Sequence, residues 1–212
     1  GDGIDVEALD GLVDFHVEAG TDVLVPCGTT GESPTLTHDE NDKVIAAVVK
    51  RANGRIPVMA GTGSNSTAEA LAMTRNARES GADGAVLVAA GVDFPQVLYN
   101  IPGRCAVEVS TDTIVRLREA HKNIVAVKHA TGSMDGASEL LGRCDLDILS
   151  GDDSMTLPLM AIGGVGVISV LANIVPKDVK AMTDAALAGN WDQARKWHHK
   201  MFQLAKGLLT LE

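Results

Sequence analysis

The sequence predicts an α/β fold and, within that class, a (β/α)8 TIM barrel. Short β-branched runs alternate with longer amphipathic stretches, as in a parallel sheet covered by helices. Apolar residues make up 45% of the 212 residues and aromatic residues only 3%, so the core must be aliphatic. The glycine-rich segment 61–66 lacks the third glycine of a dinucleotide fingerprint, and segment 163–166 precedes its strand instead of following it. Both are expected to be tight turns, which disfavours an open doubly wound sheet.

The predicted elements follow one another along the chain. Helix starts are marked by two capping-box spacings, Thr37 with Glu40 and Ser66 with Glu69. Strand candidates are 23–26, 57–60, 84–89, 96–99, 124–128, 147–150 and 166–170, and helices are expected at 5–19, 38–52, 67–80, 111–120, 135–143, 154–162, 176–188 and 191–208. We expect a barrel at 1–175 and a C-terminal helical extension at 176–212, because Pro176 suits a first helical turn and no linker precedes it.

Two features do not fit a complete barrel. A barrel needs eight strands, and only seven runs are present. Runs 84–89 and 96–99 are joined by six residues, whereas a parallel crossover needs a dozen or more. The pair is therefore antiparallel, or a segment is missing between them. We predict a missing mid-chain segment, because the other connections have helical length.

Composition excludes several classes of function. Eighteen basic and 28 acidic residues give a net charge of -10, which opposes binding to nucleic acid or anionic membranes. Cys27, Cys105 and Cys144 are odd in number and form no C-x-x-C pair, so neither a disulfide framework nor a zinc site is indicated. No apolar run approaches the roughly 18 residues of a membrane span, and no signal-peptide pattern opens the chain. A cytoplasmic protein is expected.

Polar residues end several of the apolar runs, where barrel enzymes place their sites. The run 23–26 leads into Thr29 and Thr30, which lie between glycines and form either an anion-binding turn or an ordinary one. The run 96–98 leads into Tyr99, a core residue or an acid–base group, and on to Arg104, a solvated charge or a carboxylate ligand.

Lys128 closes the apolar run 124–127. Burial would lower the pKa of its ammonium group and yield the neutral amine that attacks ketones; the alternative is a strand-end lysine that reaches water. Together with the threonine turn, the tyrosine and the arginine, this lysine would suit Schiff-base chemistry on a keto acid.

Five ordered motifs resemble those of the 4-hydroxy-tetrahydrodipicolinate synthase (dihydrodipicolinate synthase) family of pyruvate-dependent class I aldolases, over nearly the whole chain. They are Gly28-Thr-Thr-Gly-Glu-Ser, Tyr99-Asn-Ile-Pro-Gly-Arg, Val127-Lys with Ala130-Thr-Gly, Ser150-Gly-Asp-Asp and Gly166-Val-Ile-Ser-Val.

The resemblance implies that the chain condenses pyruvate with L-aspartate 4-semialdehyde through a lysine Schiff base, for lysine and diaminopimelate biosynthesis, with no metal or organic cofactor. Lys128 would be the Schiff-base lysine, and Tyr99 and Thr29 would relay protons. The substrate-binding residues implied are Thr30, Gly151, Ile168 and, for the carboxylate of the aldehyde, Arg104.

The resemblance also implies a homotetramer, a dimer of dimers, with lysine as a feedback inhibitor. The matching regulatory positions are Ser33, His38, Asn65 and Glu69. For His38 and Glu69, helix capping and surface charge are an equally good explanation.

The sequence departs from the family in four places. A first strand before Gly1, a helix after Glu212 and a two-tyrosine segment between Ala89 and Pro95 have no counterpart, and His129 replaces an acidic residue. Either the natural protein has these segments or the chain is truly shortened. We favour the first, because a barrel without a strand exposes unpaired edges.

Two rival functions remain. One is another pyruvate Schiff-base aldolase, acting on neuraminate or a keto-deoxy sugar acid, against which Arg104 argues. The other is a catalytically silent homologue.

Overall fold

The computed structural model describes residues 3–86 and 91–209. The chain separates into two compact units, 1–97 and 98–212. The predicted division between 175 and 176 stays a prediction.

The first unit contains helices α1 (Val6–Ala19), α2 (His38–Ala52) and α3 (Thr67–Glu79) and strands β1 (Met59–Gly61) and β2 (Gly84–Val86). Strand β3 (Gln96–Asn100) begins in this unit. β1 pairs with β2 in parallel, Met59 opposite Gly84. The predicted strand 23–26 is wrong: Leu24 forms only a single bridge to Val58. The chain leaves the extended conformation at Cys27, which is left-handed with φ of 56°, so no strand continues beyond this point.

The short connection between β2 and β3 is not a hairpin. Val86 lies opposite Val97 in a parallel register, so the antiparallel alternative is wrong. The end of the predicted strand 84–89 lies partly outside the described residues. A parallel pair joined by so few residues is unusual, which agrees with the predicted missing segment.

The helix starts of the first unit were predicted with one error. The capping box of α2 is confirmed, with Thr37 and Glu40 each bonding to the backbone of the other. At α3 only half of the box forms: the Ser66 hydroxyl accepts from the Glu69 amide, but the Glu69 carboxylate accepts from the Ser64 hydroxyl instead. The Ser64 hydroxyl also accepts a hydrogen bond from the Ser66 amide at 3.1 Å, which holds it near the Glu69 carboxylate.

Gly61 is not a tight-turn glycine as predicted, but a residue of β1 that another segment approaches closely. A Cβ atom there would lie 2.2 Å from the carbonyl oxygen of Cys27. Any side chain at position 61 would therefore displace the turn that follows Leu24. The buried aliphatic cores of this unit are built around residues such as Ile45, Ala60, Ala77, Val48 and Val58.

The second unit holds the remaining elements. They are α4 (Pro102–Cys105), α5 (Thr111–Ala120), β4 (Ile124–His129), α6 (Met134–Arg143), β5 (Asp147–Ser150), α7 (Thr156–Ala161), β6 (Gly166–Val167), α8 (Pro176–Leu187) and α9 (Trp191–Leu209). β4, β5 and β6 pair in parallel, with Lys128 opposite Leu149 and Leu149 opposite Gly166. The predicted strand 166–170 is shorter than expected, because the chain enters a 3-10 turn at Leu171.

Two aliphatic cores stabilise the second unit. Ile124, Leu140 and Ile148 are almost fully buried between the sheet and α5 and α6. Helices α8 and α9 share a separate core with Leu157 and Leu171, so the terminal helices are packed onto the segments that follow β5 and β6. Within the described ranges, no helix is long and apolar enough to cross a membrane.

Candidate active site

Backbone hydrogen bonds align the carboxyl ends of four strands in the second unit. The Ala130 amide donates to the Asn100 carbonyl at 2.9 Å, and the Gly151 amide donates to the His129 carbonyl at 2.9 Å. The Ile168 amide donates to the Ser150 carbonyl at 2.9 Å. These bonds bring the predicted residues Tyr99, Lys128, Gly151 and Ile168 to one edge of the sheet.

Lys128 has the environment that the sequence suggested. Its side chain is half-buried, and burial lowers the pKa of the amine to about 8, with the positive charge of Arg104 acting in the same direction and Asp153 opposing it. Desolvation dominates because a charged ammonium group loses its hydration there. These features favour the reactive amine over a strand-end lysine that reaches water.

Tyr99 lies directly beside this amine. The Lys128 Nζ atom is 4.0 Å from the centre of the Tyr99 ring. This is a cation–π distance when the amine is protonated. The tyrosine is half-buried, at the end of β3, so its ring forms one wall next to the nitrogen.

Arg104 lies on the short helix α4, which the sequence did not predict. Pro102 starts this helix, and Ala106 ends it with a φ of 55°. The guanidinium group is exposed, yet its charge acts on the Lys128 amine. A cation in that position can receive an anionic group of a molecule bound at the lysine.

Gly151 contacts the stem of Lys128. A Cβ atom at position 151 would lie 2.6 Å from the Ala130 Cβ and 3.2 Å from the Lys128 Cε. Only glycine therefore leaves the lysine side chain in place.

Two further residues of this edge, the half-buried Asp153 and the buried His129, were not predicted as functional. Asp153 accepts hydrogen bonds from the Ser169 hydroxyl and from the amides of Val170 and Leu171, both at 3.0 Å. Burial raises the pKa of the Asp153 carboxyl above its usual range. His129 is buried with its Nε2 atom 3.2 Å from the Thr131 hydroxyl, and burial lowers the pKa of its ring. The Ser150-Gly-Asp-Asp motif contains Asp153 and could have indicated it from the sequence.

The threonine turn belongs to the first unit. Thr29 and Thr30 are exposed and lie in a 3-10 turn, Thr29–Gly31. The amides of Gly31 and Glu32 donate to the carbonyls of Gly28 and Thr29, so these two amides serve the turn itself. The exposed hydroxyls of Thr29 and Thr30 can contact a ligand.

Two of the predicted regulatory residues, His38 and Glu69, form a contact. The His38 Nε2 atom lies 3.8 Å from the Glu69 carboxylate, and both side chains are exposed. Ser33 starts a 3-10 turn, and Asn65 is exposed in the loop before α3.

A neutral amine at the end of a parallel strand attacks ketones, so fold and lysine together define a lyase of the class I aldolase type. The chain belongs to the Dihydrodipicolinate synthetase family, which it matches over residues 2–90 and 87–211. It is 49% identical to the 4-hydroxy-tetrahydrodipicolinate synthase of Geotalea daltonii, covering 97% of this chain and 78% of that protein.

Solved structures share the fold. Dihydrodipicolinate synthase from Aquifex aeolicus superposes with a TM-score of 0.94 at 47% identity, covering 97% of this chain and 77% of that one. The chloride-inhibited enzyme from Acinetobacter baumannii complexed with pyruvate gives 0.92 at 39%, with 98% and 78% covered. The enzyme from Cyanidioschyzon merolae with lysine bound gives 0.94 at 31%, with 99% and 78% covered. The predicted TIM-barrel class is confirmed.

The match also indicates where this chain is shorter. The alignment to the Geotalea protein spans 226 positions, whereas 97% of 212 residues is about 206, so roughly 20 positions of the relative have no counterpart here. The two stretches matched to the family meet at residues 87–90. This agrees with the segment predicted to be missing between β2 and β3.

Proposed function

We propose that this chain condenses pyruvate with L-aspartate 4-semialdehyde through a Schiff base on Lys128, giving 4-hydroxy-tetrahydrodipicolinate. The observation that carries the proposal is the Lys128 amine, whose pKa is lowered to about 8 by burial and whose nitrogen lies 4.0 Å from the Tyr99 ring centre. A pyruvate complex among the solved relatives supports the choice of keto acid.

The chemistry begins when the neutral amine attacks the pyruvate ketone. A bond forms between Nζ and the ketone carbon, one proton is taken up, and the ketone oxygen leaves as water, which yields a cationic iminium. The iminium withdraws electrons, so the pyruvate methyl group loses a proton and an enamine forms. The enamine carbon attacks the aldehyde. The substrate amine then displaces Lys128 to close the ring.

Other residues of the edge have roles that follow from their positions. Tyr99 would move protons at the nitrogen, with Thr29 in the same relay. Gly151 and Ile168 would border pyruvate, and Thr30 would bind its carboxylate. Arg104 would hold the carboxylate of the aldehyde substrate, a charged partner that a sugar-acid aldolase does not require.

Borohydride reduction tests the proposal. Incubation with pyruvate and borohydride should add one pyruvyl group to the protein, and peptide mapping should place it on Lys128. Lys128→Ala should gain none, whereas Lys122→Ala, which changes an exposed lysine ahead of the same strand, should react as the parent does. An adduct on another lysine would overturn the assignment. A coupled assay with aspartate semialdehyde and a dihydrodipicolinate reductase then tests the second substrate.

Lysine feedback would act in the first unit. We infer that Ser33, His38, Asn65 and Glu69 bind lysine, supported by the contact between His38 and Glu69 and by the lysine-bound relative. The protein is proposed to be a homotetramer. Loss of lysine inhibition in Glu69→Gln, with unchanged activity in its absence, would support the site, and sedimentation would test the assembly.

A further inference from the structure

Asp153 is a half-buried carboxylate of the second unit to which the proposed reaction gives no role. It lies two residues after Gly151, where an added Cβ would lie 3.2 Å from the Lys128 Cε, and its negative charge acts on the Lys128 amine. The neighbouring Asp152 is oriented differently. Its carboxylate accepts from the amide and the hydroxyl of Ser154, both at 3.0 Å, and so caps its own turn.

The Asp153 carboxylate is tied to the segment that follows β6. The Ser169 hydroxyl and the amides of Val170 and Leu171 donate to it, and the Ser169 hydroxyl in turn accepts from the Ala172 amide at 2.8 Å. These residues come directly after Ile168, which is proposed to border pyruvate. Three donors on one half-buried carboxylate fix its position and favour its ionised form, against the burial that raises its pKa.

A fixed negative charge near Lys128 affects both states of the amine. It stabilises the ammonium group, and it would equally stabilise the cationic iminium that replaces it. Burial alone would make both cations costly. A site that must form a buried cation therefore gains from a carboxylate that cannot move away.

We propose that Asp153 is a positioning residue, which holds the segment after Ile168 with its hydrogen bonds and supplies one negative charge that acts on the amine of Lys128. The inference rests on the proposed function in assigning Lys128 as the reacting amine. Other charged groups act on the pair: Arg104 on the amine and Asp152 on the carboxylate. From α9, His198 borders the same small cavity as Asp153.

Competitive acetylation tests this without pyruvate. Trace labelling with acetic anhydride across pH 6 to 11, read by mass spectrometry, gives the titration midpoint of the Lys128 amine. In Asp153→Asn the midpoint should fall by roughly one pH unit, because an opposing charge is lost while the shape is kept. Asp152→Asn is the matched control and should leave the midpoint in place. Asp153→Glu should restore most of the difference, since it keeps the charge.

The outcomes are distinct. An unchanged midpoint in Asp153→Asn, or an equal shift in Asp152→Asn, would overturn the inference. If the asparagine variant does not fold, the smaller neutral Asp153→Ser takes its place with the same expectation. A purely structural role would lower the melting temperature without moving the midpoint. Failure of the parent protein to trap pyruvate would instead count against the proposed function, and the labelling midpoints would still decide the role of Asp153.

Discussion

The amine of Lys128 lies 4.0 Å from the centre of the Tyr99 ring. The two residues come from neighbouring strand ends, which are joined by the hydrogen bond from the Ala130 amide to the Asn100 carbonyl. The ring face attracts the protonated amine, whereas burial favours the neutral one. The effect of burial is the larger one, so the pKa of Lys128 falls to about 8.

The first prediction concerns the pH at which Lys128 reacts. Only the neutral amine attacks pyruvate, and it predominates above its pKa, so trapping should accelerate as pH rises and level off above about 8. Initial rates of adduct formation between pH 6 and 10, at fixed pyruvate, measure this. A rate that still rises steeply at pH 10 would show an ordinary lysine.

The second prediction separates the ring of Tyr99 from its hydroxyl. Tyr99→Phe keeps the ring beside the lysine but removes the hydroxyl that is proposed to donate protons. Turnover should fall by roughly 100-fold or more, the usual contribution of a positioned acid–base group. The acetylation midpoint of Lys128 should stay close to that of the parent. A large shift of that midpoint with nearly normal turnover would mean that the tyrosine acts by packing and not by proton transfer.

The sequence predicted most helices closely, and it predicted that Lys128 and Tyr99 lie together, for a physical reason. Lys128 and Tyr99 each end an apolar run, and in parallel sheets such ends meet at one edge. The bounds of α5 agree with the predicted helix residue for residue, because Ser110 caps its start and apolar periodicity fills it.

The errors have physical causes too. The run at 23–26 has strand composition but forms a single bridge, because Cys27 reverses the chain at once. Helix α4 was missed because four residues carry no periodicity. Asp153 and Asp152 cannot be told apart by sequence, since their roles depend on which backbone amides each carboxylate reaches.

The third prediction tests the need for glycine at position 151. In Gly151→Ala, the new Cβ would lie 2.6 Å from the Ala130 Cβ and 3.2 Å from the Lys128 Cε, so the lysine stem or the turn must move. Pyruvate trapping should fall at least roughly tenfold, as expected for a misplaced reacting group. Gly142→Ala is the control, because a Cβ at position 142 in α6 contacts nothing within 4 Å. Equal trapping in both variants would contradict the close packing.

The fourth prediction addresses Arg104. Arg104→Ala should leave pyruvate trapping nearly unchanged but should raise the KM for aspartate semialdehyde, by roughly 10-fold to 100-fold if a charged hydrogen bond of about 1.5–3 kcal/mol is lost. The exposed Arg116→Ala serves as the control for loss of a positive charge. Normal kinetics with the aldehyde in Arg104→Ala would remove this residue from the site.

The fifth prediction concerns His129 and the stability of the protein in acid. Burial lowers the pKa of its ring below the ordinary value of 6.5, with the charge of Glu108 acting in the opposite direction. The unfolded chain therefore takes up a proton on this residue at a higher pH than the folded chain does. Its contribution to stability is complete above pH 6.5 and is lost as pH falls through the folded pKa.

His129→Gln removes this titration. The parent protein should therefore lose more unfolding free energy than the variant between pH 7.5 and pH 5, by about 1.4 kcal/mol for each unit by which the pKa is lowered. Urea denaturation at both pH values measures the difference. His199→Gln, on the exposed face of α9, should follow the parent. If His129→Gln loses as much stability in acid as the parent, the buried ring is not the group that responds, because the other titrating residues are common to both proteins.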